Sequence, residues 1–384
     1  MHAIINARTI TPDGVRAASV IFDAGVITTI AKTAAAIPAG ATIVDAQGRY
    51  LAPGLIDIHV HGGGGFDLMT DDAEQVRSYA RWVAARGVTS FLVSTSGRDH
   101  AQILDRLRAI APAVGTEAGS ARVLGFHLEG PYINPVRKGA FDPRWLRAPS
   151  VDEYRELFDA SGNAIRQITL APELPGAVEL IDAVLASGAT VAIGHTDATY
   201  DEAMAAIERG ASHATHCFNA MRPFSHRDPG CLGAIMTSDS VTAELIGDGA
   251  HVDYAAARVL IRAKGARNIV LITDGMPLAG TADGAGEWEG VPIRVDGGKA
   301  VRVSDGTIIG GVITLDQTLR NAVTHMGVAV HEAVAMASTN AARAIGLAAY
   351  GAIAEGAAAD FILLDDDLRV TETWVAGKRV YSRQ

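Results

Sequence analysis

Eight short apolar runs set the frame for this chain: "GLIDIHVH", "VTSFLVST", "RVLGFHLEG", "RQITLAPE", "TVAIGHT", "HATHCFN", "TAELIGDGAH" and "NIVLITDG", all between residues 54 and 275. Their apolarity is continuous rather than alternating, as in parallel strands buried on both faces. Most are separated by stretches that read as helices, such as "DDAEQVRSYARWVAARG", "LPGAVELIDAVLASG", "TYDEAMAAIERG" and "DYAAARVLIRAKG". Each of these closes on a glycine, the usual residue past a helix end. Eight strands alternating with helices suggest a (β/α)8 TIM-type barrel. A doubly wound sheet gives a similar rhythm, so periodicity leaves both open.

The polar residues favour the barrel. His59, His61, His127, Glu129, Glu173, His195, His216, His251 and Asp274 all stand at or just past the ends of these runs. Catalytic groups of a (β/α)8 barrel come from the C-terminal ends of several strands, around one mouth. Six of the 12 histidines fall there, which a scatter over the surface would not produce. Outside the barrel, "HAIINARTI" and "ASVIFDAGVITTIAK" at one end and "ADFILLDDDLRVTETWVAGKRVY" at the other read as short strands with turns. Chain termini often lie close together. The expected organisation is therefore a small β-sandwich domain formed by both chain ends, 1–53 and 350–384, around a barrel over 54–349.

Histidines and carboxylates converging on one mouth make a divalent-metal site of borderline character, suited to Zn, Fe, Mn or Co. His59 and His61 lie two apart and so share one side of an extended strand. His195 and His216 form a second pair, and Glu129 can reach either. The glycines at 62–65 let the chain turn sharply beside the metal and leave room for ligand or water. Asp274 is suited to shuttle a proton between water and a leaving amine. Its alternative role is to open the turn at "DG".

Charge and cysteine content narrow the setting. A formal charge of -10 argues against nucleic acid and requires a local cluster of cations for any anionic substrate. No apolar run is long enough for a membrane span, and the N-terminus lacks the pattern of a signal peptide. With only Cys217 and Cys231, a reducing cytoplasm is expected.

Six segments carry a more specific likeness: "PGLIDIHVHG", "HLEGPYINPVRKGA", "IGHTDATYDEA", "ATHCFNAM", "DGAHVDY" and "ITDGMPLAG". Together they resemble the amidohydrolase superfamily, and within it the N-acetylglucosamine-6-phosphate deacetylase family. The resemblance runs from about residue 50 to about residue 345. The paired histidines are shared across the superfamily, whereas "HLEGP", "GHT" and "THxxNAM" in combination are specific. Many superfamily members bridge two metals with a carboxylated lysine; no strand run here carries a lysine, and Glu129 takes that role.

The resemblance implies one or two divalent metals per subunit. Glu129, His195 and His216 would be ligands of the principal metal, and His59 and His61 would hold a second. Asp274 would be the catalytic acid and base. Ala140, Asn219, Ala220, Arg227 and His251 would contact a phosphorylated N-acetyl amino sugar, beneath a covering loop at Ile308, Ile309 and Gly310. Arg227 and His251 would reach into a neighbouring subunit's site, in a homodimer with shared active sites. After "RKGA" some family members carry a histidine that hydrogen-bonds the substrate; this chain has Phe141, which cannot donate. The activity implied is hydrolysis of the acetamide of N-acetylglucosamine 6-phosphate. Alternatives are the galactosamine epimer as substrate, a cyclic amide or ureide, or a barrel kept only as a scaffold. The last predicts missing ligands, and none is missing.

Overall fold

The computed structural model describes residues 1–32, 37–96 and 98–383. The eight apolar runs form eight parallel strands: Leu55–Asp57, Val88–Ser96, Arg122–Glu129, Ile165–Leu170, Thr190–Ile193, His213–Ala214, Thr242–Ile246 and Ile269–Ile272. Their order across the sheet is their order along the chain. That excludes the doubly wound alternative, whose strand order reverses at a switch point. The first and last strands meet at the mouth, where the Asp274 N–H donates to the His59 carbonyl at 2.9 Å and the His61 N–H to the Gly275 carbonyl at 2.7 Å.

Helices cover the outside, starting where the sequence supplies caps. Asp72, Asp99 and Ser150 each accept a backbone N–H in the first turn of Ala73–Ala84, His100–Ile110 and Val151–Ala160. Thr199 and Glu202 form a reciprocal capping box at the start of Tyr200–Arg209. Such caps contribute about 1 kcal/mol each. The apolar faces of these helices, for example Val76, Tyr79, Ala80 and Val83, join the main core around the barrel.

The bore is different. His127, Gln167, Thr169, His213, Thr215 and Glu244 are all fully buried inside it. Buried polar groups must be hydrogen-bonded, so the floor beneath the mouth is a polar network rather than a layer of Val and Leu.

Strands from both chain ends build the small β-sandwich. Tyr50–Pro53 pairs with the antiparallel strand Phe361–Leu364 on one side and the parallel strand His2–Thr11 on the other. Tyr50–Pro53 then leads through Gly54 into the first barrel strand. A side chain at Gly54 would collide with Thr89, since its Cβ would lie 2.1 Å from the hydroxyl oxygen. Only glycine allows that approach.

One element was not foreseen. After the eighth barrel strand, Gly284–Trp288, Val291–Asp296 and Lys299–Arg302 form a three-stranded antiparallel sheet. It packs on Met276, Ile309, Val312 and Ile313 and overhangs the mouth.

Candidate metal centre and active site

The strand ends deliver two adjoining groups of ligand atoms. In the first, Glu129 Oε1 lies 3.2 Å from His195 Nε2 and 3.0 Å from His216 Nε2, and the two ring nitrogens are 3.0 Å apart. In the second, His61 Nε2 lies 3.1 Å from Glu129 Oε2, and both His59 Nε2 and His61 Nε2 lie 3.4 Å from Asp274 Oδ1. Glu129 belongs to both, because its Oε1 is also 3.4 Å from His59 Nε2.

These residues fit a cation. Ligand atoms at the corners of a tetrahedron with metal–nitrogen bonds of about 2.0 Å stand about 3.3 Å apart, close to the separations in both groups. Tautomers point the same way. His195 Nδ1 lies 2.9 Å from the Arg137 carbonyl, which can only accept, so Nδ1 carries the proton and Nε2 offers its lone pair. His59 Nε2 is buried with no hydrogen-bond partner among the described residues. A buried polar atom left alone is costly, and a cation would satisfy it. The sequence reading set Asp274 apart from the ligands; its Oδ1 stands among the ligand atoms of the second group.

The backbone is strained at the same points. His195, His216 and Asp274 have φ of 47°, 25° and 47°. Non-glycine residues in this left-handed region cost about 1–3 kcal/mol each and cluster at functional sites.

The electrostatics follow from the crowding. Burial opposes the charged form of His61, but Asp274 and Glu129 outweigh it and the ring is pushed up to about 9. Burial would raise Glu129 and Asp274 too; the histidines around them, His59 foremost, hold both carboxyls below the usual range. Both are therefore ionised at neutral pH, ready to bind a cation or take a proton.

Above the ligands opens a cavity of about 580 Å³. Ala140, Asn219 and Ala220 line it, as do Ile308, Ile309 and Gly310 under the overhanging sheet. Phe141 forms part of its wall, set edge-on to His195 with ring centroids 4.9 Å apart. It offers an apolar surface there and no hydrogen-bond donor. His251 lines the cavity of its own chain, with Nδ1 2.7 Å from Asp248 Oδ2. Burial disfavours its charge, but Asp248 outweighs burial and raises the ring above its ordinary value. Arg227 is exposed and lies outside the cavity of its own chain.

Other strand-end residues do different work. His127 sits below the ligands, hydrogen-bonded to Ser94 and Thr169. Glu173 accepts from Thr196, Asn134 and the Asp197 N–H, tying two loops together. Neither joins the ligand groups. The room left by the glycines at 62–64 is taken by protein: a Cβ at Gly62 would lie 2.4 Å from the Phe66 carbonyl, and one at Gly64 2.4 Å from the Trp82 ring, while Gly65 faces open space. Sequence reasoning also missed Arg98, Arg144, Trp145 and Trp288 on the cavity wall. Arg98 and Arg106 pair with Glu289, strapping the overhanging sheet to the barrel.

The chain belongs to the amidohydrolase family, whose profile matches residues 50–380. It is similar to the N-acetylglucosamine-6-phosphate deacetylase of Lysinibacillus sphaericus, at 35% identity over 88% of this chain and 87% of that one. It is also similar to the N-acetylgalactosamine-6-phosphate deacetylase of Escherichia coli O157:H7, at 36% identity over 90% and 91%. Among solved structures, the N-acetylglucosamine-6-phosphate deacetylase of Pasteurella multocida matches with a TM-score of 0.92 at 30% identity, over 100% of both chains. A mutant of the Mycobacterium smegmatis enzyme in complex with N-acetyl-D-glucosamine-6-phosphate matches with a TM-score of 0.92 at 33% identity, over 99% of each.

Proposed function

We propose that this chain hydrolyses the acetamide of N-acetyl-D-glucosamine 6-phosphate, releasing acetate and D-glucosamine 6-phosphate, as a step in amino sugar catabolism. The observation that carries the reading is the pair of ligand groups sharing Glu129, with the Asp274 carboxylate facing the same cavity. Glu129, His195 and His216 hold one divalent cation, zinc being our preferred identity over Fe, Mn or Co; His59 and His61 hold a second. A cation bound there polarises the amide carbonyl and acidifies water. Asp274 takes the proton from water as the oxygen adds to the carbonyl carbon. It returns the proton to nitrogen as the C–N bond breaks, so one carboxylate serves as base and then acid. Phe141, Ile308 and Ile309 wall the cavity against bulk water, and Asn219 and the Ala220 backbone orient the sugar.

The E. coli relative supports a second reading, the galactosamine epimer, which differs at one hydroxyl. Purified protein of known metal content should release acetate from the glucosamine substrate with the higher kcat/KM. Faster release from the galactosamine substrate would transfer the assignment to that epimer. Activity on neither sugar phosphate, together with turnover of a cyclic amide, would move it out of this substrate class.

The phosphate needs cations on a chain of net charge -10. His251 supplies one from within. Arg227, exposed and outside its own cavity, supplies the other from a second subunit, so the enzyme works as a homodimer with shared active sites. Its buried, unpaired cysteines support a cytoplasmic setting. Arg227→Ala and Asp274→Asn should each be nearly inactive, yet mixed dimers of the two should regain activity. In such a dimer one site has Asp274 from one chain and Arg227 from the other. Mixed dimers that stay inactive, or a protein that runs as a monomer at working concentration, would remove Arg227 from the neighbour's site.

A further inference from the structure

Glu244 lies in the middle of the seventh barrel strand, within the apolar run "TAELI", and is fully buried. A carboxylate has no donor to offer, so each of its four close partners must donate to it. Oε2 accepts from His59 Nδ1 at 2.9 Å and from the His216 backbone N–H at 3.0 Å. Oε1 accepts from His213 Nε2 and Gln167 Nε2, both at 3.0 Å. A charge at this depth is retained only when it is fully paired.

One consequence reaches the mouth. In the neutral ring that binds a cation, the bond to His59 Nδ1 fixes the tautomer and leaves the lone pair on Nε2, the atom that lacks a partner among the described residues and faces Glu129 and Asp274. The bond to the His216 N–H holds the backbone of a ligand from the other group in its left-handed conformation, at φ 25°. A single carboxylate thus sits under both groups but grips a ligating ring in only one.

We infer that Glu244 is a positioning residue for the metal centre: it orients His59 and raises its basicity, and so sets the cation affinity of the His59/His61 group selectively. This rests on the reading that two cations bind. Outer-shell carboxylates of this kind affect metal affinity by about 10–100-fold.

The test is a Co²⁺ titration of chelator-stripped protein, following heat and visible absorption, on wild type, Glu244→Gln and the double variant His59→Ala/His61→Ala. The glutamine is isosteric, and Gln167 can turn its free Oε1 toward the new amide. In Glu244→Gln the first equivalent should bind within a few-fold of wild type. The second should weaken by about 10–100-fold, with an altered Co²⁺ spectrum and an unchanged melting temperature of the stripped protein. If the glutamine variant does not fold, Glu244→Asp carries the test; it keeps the charge but draws it back from His59, and should weaken the second equivalent selectively. Two equivalents of wild-type affinity in the variant would overturn the proposal, as would equal weakening of both with a lowered melting temperature. A wild type that binds one equivalent, with the double variant unchanged, would instead overturn the two-cation reading and the proposal with it.

Discussion

Asp274→Asn should lower turnover by about 10²- to 10⁴-fold, the scale of general acid–base catalysis, while KM and metal content stay within a few-fold of wild type. The fold should tolerate the change, because the backbone bonds that hold residue 274 do not involve the carboxylate. Its N–H donates to the His59 carbonyl at 2.9 Å, and its own carbonyl accepts from Gly311 at 2.6 Å. Asparagine is also among the residues that enter the left-handed region most readily, which suits a φ of 47°. What disappears is an ionised oxygen facing the cavity. His59 and His61 hold that carboxyl below the ordinary range against the effect of burial, so in wild type it can accept a proton at neutral pH; an amide cannot. Steady-state acetate release and metal analysis on the same preparation separate the possibilities. A rate within a few-fold of wild type would mean that another group moves the proton. A metal content that falls in step with the rate would assign Asp274 to the ligands of the second group instead.

The barrel was legible because parallel strands buried on both faces leave a continuous apolar trace, and because the barrel gathers strand ends at one mouth. That geometry alone brings Glu129, His195, His216, His59, His61 and Asp274 together from five different strand ends. It does not decide which strand-end residues point upward. His127, two residues before the end of its strand, turns into the bore, and Glu173, three residues past the end of the next, ties loops. Glu244 left a signal that went unread: an acid inside a run destined for complete burial must have partners, and the nearby histidines were available. The glycines at 62–65 were assigned to ligand access, whereas Gly62 is required by the Phe66 carbonyl just along the chain, and Gly63 and Gly64 by the Trp82 ring, which arrives from the helix Ala73–Ala84. The three-stranded overhang was missed because its strands span four to six residues, and their glycine-rich turns resemble an irregular loop. His251 and Arg227 appear as equivalent cations in sequence. Only the fold separates them, turning one inward to Asp248 and the other out to solvent.

Glu129→Gln should be the most damaging single change at this site, because one side chain serves both ligand groups. Oε1 faces His195, His216 and His59; Oε2 faces His61. Glutamine has the same shape, so the nearly buried pocket around it should still close. The chemistry is not preserved. An amide presents one weak acceptor and one NH₂ that only donates, so whichever way it turns, one group loses its anionic ligand and gains a donor aimed at its imidazoles. Cation affinity should fall by more than the roughly 10–100-fold expected for loss of an outer-shell partner. The loss should reach both equivalents, in contrast to the selective loss expected at Glu244. Acetate release should fall with metal content, and added Zn²⁺ should restore little of it. The metal-free variant should also be less stable near neutral pH than metal-free wild type. His61, whose ring the two carboxylates push up to about 9, would lose one of the two partners that stabilise its charge. That contribution is fully present below about pH 6.5 and fades as pH rises towards 9, so the stability gap should narrow over the same interval. Full metal content with near-normal turnover would remove Glu129 from the centre, and the two groups would then have to be read as separate sites.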